Sequence, residues 1–312
     1  MSNLKVIFMG TPEFAVPCLE ALNKKYDIIA VITQPDRPKG RGQKLTASPV
    51  KEFAVNAGLT VLQPEKIKAP EFEKVLMELK PDLIVVVAFG QILSKRILDI
   101  PPLGCINVHA SLLPLYRGAA PIHWSIINGE TKTGVTTMFM DVGLDTGDTL
   151  LKSEVVISDE TTTGQLHDQL MLLGADILMR TVDLLETGNV TRIKQDNTIT
   201  TYASLLTKTT ERIDWSLTAK RIHNLVRGLD PWPGSYCNFN NNVFKIWKTK
   251  VYNNTNLATI PGTVVEITKQ GFVVSTGAGL LEILEIQPAG KRRMSAKDYV
   301  CGHGLNINDR FE

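Results

Sequence analysis

The chain has 312 residues, 43% of them apolar and 21% charged, with a formal net charge of +2. That composition is ordinary for a folded globular protein, and the length favours about two domains. It excludes a strongly charged disordered chain, and no stretch approaches the roughly 18 unbroken apolar residues that a membrane helix needs.

Charge is unevenly distributed. Residues 1–200 hold 20 Lys and Arg against 23 Asp and Glu, a net of −3, whereas residues 201–312 hold 14 against 9, a net of +5. The basic excess therefore falls in the C-terminal part, the sign that suits a polyanionic partner. Cys18, Cys105, Cys237 and Cys301 are scattered and form no C-x-x-C, so reduced thiols in a cytoplasmic protein are expected rather than a disulfide framework or a zinc ribbon. No small-residue cleavage site follows the first apolar run, and no signal peptide is expected.

In chain order, residues 4–9 (LKVIFM) form an apolar-rich run that predicts a first strand. Gly10-Thr11-Pro12 follows, with Thr11 placed as an N-cap and Pro12 as first helical residue; Phe14, Val16, Leu19 and Leu22 then recur at helical spacing. Residues 28–32 predict a second buried strand, 83–88 (LIVVVA) a third and 105–108 (CINV) a fourth, with helical material over 44–51 and 71–80. Near-continuous apolar strands separated by helices imply an α/β architecture: a Rossmann-like, mostly parallel sheet with helices on both faces. A helix over 162–185, carrying Leu166, Leu170, Leu173, Ile177 and Leu184, closes this half. Residues 187–201 are polar and aperiodic and read as a linker. Beyond them come a helix over 215–226 and short strands at 236–239, 243–247, 262–267, 272–275 and 280–286, separated by turns at 240–242, 269–271 and 276–279. Such strands predict a small, OB-like β-barrel. The expected division is 1–188 for the α/β domain, 189–206 for the linker and 207–312 for the barrel.

The chemically informative stretch begins at the end of the fourth strand, with Asn107-Val108-His109. Strand alternation puts Asn107 and His109 on one face, about 7 Å apart, at the carboxyl end where open α/β sheets bind ligands. Asn offers a neutral amide donor and His a group that gains and loses protons near neutrality. Together they suit attack of an amine on a carbonyl, Asn107 polarising the oxygen and His109 managing protons. Asp145 sits in a glycine-flanked turn, Gly143-Leu144-Asp145-Thr146-Gly147. A carboxylate brought beside His109 would orient the ring and favour its protonated form. His123, His167, His223 and His303 show no ligand spacing, and no metal site is expected. A second segment, 34–45, carries Arg37, Lys39, Arg41 and Lys44 against the single Asp36, and reads as an exposed loop able to grip phosphates. Trp232 and Trp247 suit either packing or stacking against bases.

Asn107-x-His109 followed by Ser111-Leu112-Leu113-Pro114, then Arg117-Gly118-Ala119-Ala120-Pro121-Ile122, resembles the signature of the folate-dependent formyltransferases, and Leu144-Asp145-Thr146-Gly147 resembles the turn that carries their third catalytic residue. The resemblance implies Asn107, His109 and Asp145 as catalytic residues and 10-formyltetrahydrofolate as formyl donor, without a metal. It further implies Ser111, Leu112, Leu113 and Pro114 as lining of the folate site, with Phe89 and Gly90 reaching the pterin. The motif is shared by members acting on tRNA, ribonucleotides and sugar amines, and by hydrolases that release formate. The loop 34–45 and the C-terminal segments 212–216, 230–234 and 287–294 are similar to the tRNA-acting branch. They imply methionyl initiator tRNA as acceptor, gripped by Arg37, Lys39, Arg41 and Lys44 and by the basic barrel. A monomer in the cytoplasm, without membrane partners, is the expected state. Leu115-Tyr116 stand where the family often has Arg-Trp.

Overall fold

The apolar runs pair side by side as a single sheet. In the computed structural model, which describes residues 3–39, 44–253 and 259–312, the first half runs through β1 (Lys5–Gly10), α1 (Val16–Asn23), β2 (Asp27–Ile32), β3 (Arg37–Lys39), β4 (Lys44–Thr46), α2 (Pro49–Asn56), β5 (Val61–Leu62), α3 (Pro70–Leu79), β6 (Leu83–Val87), α4 (Lys95–Leu98) and β7 (Cys105–His109). It continues through β8 (Arg117–Gly118), α5 (Pro121–Ile127), β9 (Lys132–Phe139), β10 (Thr149–Val156), α6 (Thr163–Glu186) and β11 (Tyr202–Ala203). The sheet order is β10-β9-β7-β6-β1-β2-β5. β1 lies parallel to β2 and β6, β2 to β5, and β6 to β7; β9 runs antiparallel to β7. The mostly parallel sheet expected from the sequence is thus present.

Its central strands are buried on both faces. Ile7, Phe8, Met9, Ile84 and Val85 have no exposed surface, and each such side chain contributes about 1.5–3 kcal/mol on removal from water. From β1 the chain lays β2 and β5 to one side, then returns to lay β6 and β7 on the other. That reversal opens a crevice at the carboxyl ends of β1 and β6, the usual ligand position in such sheets. Thr11, which the sequence places as a helix cap, serves this junction instead: its hydroxyl donates to Phe89 O at 3.0 Å. A 3-10 turn over Glu13–Ala15 intervenes before α1, whose cap residue is Ala15. The helix expected over 44–51 is also corrected. Residues 44–46 are strand, and α2 starts at Pro49 because Ser48 caps it, accepting from Lys51 N at 3.1 Å. β9 escapes sequence reading because it is buried along most of its length and does not alternate.

The chain divides into two compact units. The first comprises Met1–Gly118, Thr133–Val155 and His167–Ala203; the second comprises Ala119–Lys132, Val156–Leu166 and Ser204–Glu312. Within the second unit, α7 (Lys208–Glu211) and α8 (Ala219–Gly228) precede β12 (Ser235–Phe239), β13 (Asn242–Asn253), β14 (Val264–Ile267), β15 (Phe272–Ser275), β16 (Leu280–Pro288), β17 (Met294–Ser295) and α9 (Ala296–His303). The helix expected from 215 starts later, capped by Thr218, because Trp215 is spent on the core. The strands form an antiparallel sheet, β12-β13-β16-β15-β14 with β17 on β16. β13 meets β16 through repeated register shifts, and such bulges bend and twist a strand, consistent with the OB-like domain expected. The core includes Phe244, Phe272 and Phe311, the last two stacked with centroids 5.5 Å apart. Among the described residues, no helix is long and apolar enough to cross a membrane, and no group of three or more His, Cys, Asp or Glu is placed to hold a metal.

Candidate active site

β7 delivers two polar side chains to its carboxyl end. Asn107 is half-buried and pairs across the sheet with Val86 and Met138; His109, two residues on and on the same face, is buried and pairs with Thr136. The His109 ring is held from both sides. Nε2 donates to Tyr116 O at 3.0 Å, and Nδ1 lies 3.7 Å from Asp145 Oδ2. The first is a hydrogen bond and fixes which nitrogen faces the backbone. The second is an ion-pair contact, too long for a direct hydrogen bond. Both neighbours present oxygen acceptors to the ring.

Asp145 reaches this position through an unusual turn. Its φ is +53°, a left-handed conformation that Asp tolerates better than most residues. The carboxylate accepts from Gly118 N at 2.8 Å. Gly118 itself has φ +121°, and a Cβ there would come within 2.6 Å of Ala203 O. Gly147 is equally constrained, since a Cβ would meet Phe139 O at 1.9 Å. The glycines thus allow the backbone approach that sets the carboxylate beside the imidazole.

The loop after β7 is fastened from within. Ser111 is fully buried, and its hydroxyl donates to Leu115 O at 2.6 Å. Thr136 Oγ1 donates to Ser111 O and accepts from Leu113 N. Lys152 Nζ donates to Leu113 O, and burial holds this ammonium below the ordinary lysine value. Leu113 and Pro114 are buried and only Leu112 of the four is half-buried, so Ser111 and Leu113 shape the loop from behind. Phe89 behaves similarly. Its ring belongs to the sheet core, and its carbonyl accepts from Thr11 and from Gln34 Nε2, which leaves Ala88 and Gly90 as the exposed residues at the end of β6. Tyr116, at the family departure, is buried and contributes its carbonyl to His109.

The basic segment is a hairpin rather than an open loop. β3 and β4 pair antiparallel, Arg37 opposite Thr46 and Lys39 opposite Lys44. Arg37 is exposed, and Arg41 lies outside the described residues. Asp36, its single acid, is engaged at the base: Lys51 Nζ at 2.6 Å and Gln63 Nε2 at 2.8 Å hold its carboxyl below the usual carboxylate range. In the second unit, the Trp247 ring is flanked by Lys245 and Arg293 at 5.2 and 5.1 Å, and its Nε1 donates to Gln287 Oε1. Trp232 is 43% exposed and meets the His123 ring edge-on.

Sequence reasoning missed Gln195. From the stretch read as linker, it donates through Nε2 to Asp145 O at 2.8 Å and Gly147 O at 2.7 Å, and its Oε1 accepts from Arg117 Nε and Nη2. No local pattern signals bonds that span 48 to 78 residues.

Comparison with known proteins agrees with the fold. Residues 3–182 match the formyl transferase family model, and residues 205–304 match the formyl transferase C-terminal domain. The chain is 52% identical to the methionyl-tRNA formyltransferase of Ruminiclostridium cellulolyticum over 310 residues, covering 99% of both chains. It is also 52% identical to that of Geobacter metallireducens over 312 residues, covering 100% of this chain and 99% of the relative. Among solved structures it shares the fold of WlaRD, a sugar 3N-formyl transferase crystallised in the presence of dTDP and 5-N-formyl-THF. The TM-score is 0.65 at 22% identity, over 94% of this chain and 100% of that one. HypX from Aquifex aeolicus in complex with tetrahydrofolic acid gives a TM-score of 0.62 at 14% identity, over 99% of this chain and 49% of the other. The chain belongs to the formyl transferase family.

Proposed function

We propose that this chain transfers the formyl group of 10-formyltetrahydrofolate to the free amino group of methionyl initiator tRNA, giving N-formylmethionyl-tRNA for translation initiation. The observation that carries the reading is the approach of His109 and Asp145 beside Asn107 at the carboxyl end of β7. Full-length identity to relatives of that name supports the choice of acceptor. In this reading residues 1–188 carry the reacting groups, 189–206 link the domains and also brace the site through Gln195 and Thr201, and 207–312, with their basic excess, track the RNA backbone. The enzyme works as a cytoplasmic monomer.

The residues suit a formyl donor. The Asn107 amide supplies an N–H for the carbonyl oxygen, and the exposed residues Ala88 and Gly90 at the end of β6 offer a bed for a flat heterocycle. A free α-amine has a pKa of about 7.7–8.0, and the adjacent ester lowers it, so much of the acceptor is neutral near pH 7. A strong base is unnecessary; orientation and charge management remain. The amine nitrogen forms a bond to the formyl carbon, negative charge develops on the oxygen, and the bond to N10 breaks. The amine loses one proton and N10 gains one. Asn107 donates to the oxygen. Because Nε2 of His109 is committed to Tyr116 O, Nδ1, on the Asp145 side, is the nitrogen left for proton transfer. The Asp145 carboxylate orients the ring; His109 gives its Nδ1 proton towards N10 as the charge on the oxygen collapses, and the proton lost by the amine, relayed through water, replaces it.

Asn107→Ala, His109→Ala and Asp145→Ala each lower kcat by about 10²–10⁴-fold, while the Kd for tRNA changes less than about threefold. Steady-state formylation and filter binding on the same preparations check this. Near-normal kcat in any one variant removes that residue from the mechanism.

A further inference from the structure

We propose that Gln195, locked in orientation by the buried Arg117, is a positioning residue that sets the Asp145 carboxylate against His109. The proposal rests on the reading of His109 and Asp145 as the transfer site, and concerns what holds them there.

The Asp145 turn is only partly self-held: Asp141 Oδ1 accepts from Gly143 N and Thr146 Oγ1, and neither bond reaches Asp145. A non-glycine residue in the left-handed region persists only where its surroundings over-determine it. Asp145 has φ +53°, and the apolar residues just before it, Val142 and Leu144, are exposed and give the turn no core to pack on. Gln195 supplies the missing constraint. Its two amide N–H groups are directed to Asp145 O and Gly147 O, bracketing the turn two residues apart. Its Oε1 receives both Arg117 Nε and Nη2, at 3.1 and 2.8 Å. A flipped amide would set its oxygen against two carbonyl oxygens and its NH2 against a guanidinium, so the chemistry admits one orientation only.

Arg117 makes that orientation rigid. It is 2% exposed, and Nη2 also donates to Asn197 Oδ1 at 3.0 Å. The guanidinium is spent on neutral amides, an arrangement that leaves the Asp145 carboxylate to His109 and Gly118 N. The same stretch of chain grips the histidine side. Thr201 Oγ1 accepts from Tyr116 N and Thr201 O from Arg117 N, both at 2.9 Å, and Tyr116 O is the group that receives His109 Nε2. β11 then pairs in parallel with β8, Tyr202 with Arg117 and Ala203 with Gly118. Residues 195–203 therefore fix both members of the pair: the carboxylate through Gln195, the imidazole through Thr201 and Tyr116. Misplacing a reacting group by about 1 Å costs on the order of 10²-fold in rate.

The test uses the full-length enzyme and Gln195→Glu. Glutamate keeps oxygen acceptors for Arg117, so the buried guanidinium stays paired, but offers no N–H to Asp145 O and Gly147 O. The expected result is a kcat lower by about 10- to 100-fold, KM for both substrates within about twofold, and only a small loss in Tm, because the new carboxylate–Arg117 pair offsets part of the two lost hydrogen bonds. In an Asp145→Asn background the same substitution adds no further loss, because residues acting through one another are not additive. The double replacement Arg117→Met, Gln195→Met, which removes the buried charge together with its acceptor, gives the same kcat loss by a second route. Wild-type kcat in Gln195→Glu, or a full additional loss on top of Asp145→Asn, overturns the proposal while leaving the site reading intact. Wild-type kcat in Asp145→Asn alone overturns the site reading itself, and the proposal with it.

Discussion

The Asp145 turn and the basic hairpin of β3 and β4 are both polar excursions from the same sheet, yet they are built oppositely. Hydrogen bonds from Gln195 and Gly118 and the close approach of His109 meet the turn. The hairpin is anchored at its base, where Asp36 meets Lys51 and Gln63, and projects the exposed Arg37 beyond that anchor. The difference follows from the tasks proposed for them. Proton transfer and charge stabilisation fall steeply with distance and angle, so the groups that perform them need fixed positions. Attraction between a guanidinium and a phosphate acts over a Debye length of about 8–10 Å and tolerates a movable arm.

The contrast can be broken most severely at Gly118. Replacing it by Ala places a Cβ against Ala203 O and in a backbone region that L side chains rarely adopt. The expected loss is on the order of 3 kcal/mol in denaturant unfolding, with kcat reduced as well. Wild-type stability would mean that the close approach of β11 is not a constraint. A milder and different response is expected from the hairpin. Arg37→Ala and Arg41→Ala weaken tRNA binding by about tenfold or less and leave kcat at saturating tRNA unchanged. Each lowers the slope of log K against log salt by about one for every phosphate that the side chain had neutralised. A titration across roughly 50–200 mM salt checks this; an unchanged slope refutes phosphate binding by that residue.

Much of the sheet was legible because buried parallel strands are nearly continuous apolar runs, as in β1 and β6. Asn107 and His109 were legible for a related reason: strand periodicity alone puts them on one face at a ligand-binding end. Asp145 was found through its flanking glycines and through family resemblance. Gln195 was not legible. It lies in a polar, aperiodic stretch whose meaning comes entirely from partners far away in sequence, Arg117 and Asp145. Thr11 misled for the opposite reason. The Thr-Pro pair carries a strong local signal for a helix cap, but the junction with β6 claims its hydroxyl first. Phe89 was expected to reach the pterin, and nothing in its local sequence says that the ring turns into the core while its carbonyl accepts from Thr11 and Gln34.

The most direct test of the whole account is acceptor-dependent consumption of 10-formyltetrahydrofolate by the purified protein, with methionyl initiator tRNA, methionyl elongator tRNA and a nucleotide amino-sugar compared side by side. The account predicts formylation of the initiator tRNA and no donor loss without an acceptor. Formylation of the sugar alone would contradict the tRNA assignment while keeping the site, and loss of donor with no acceptor present would contradict transfer itself.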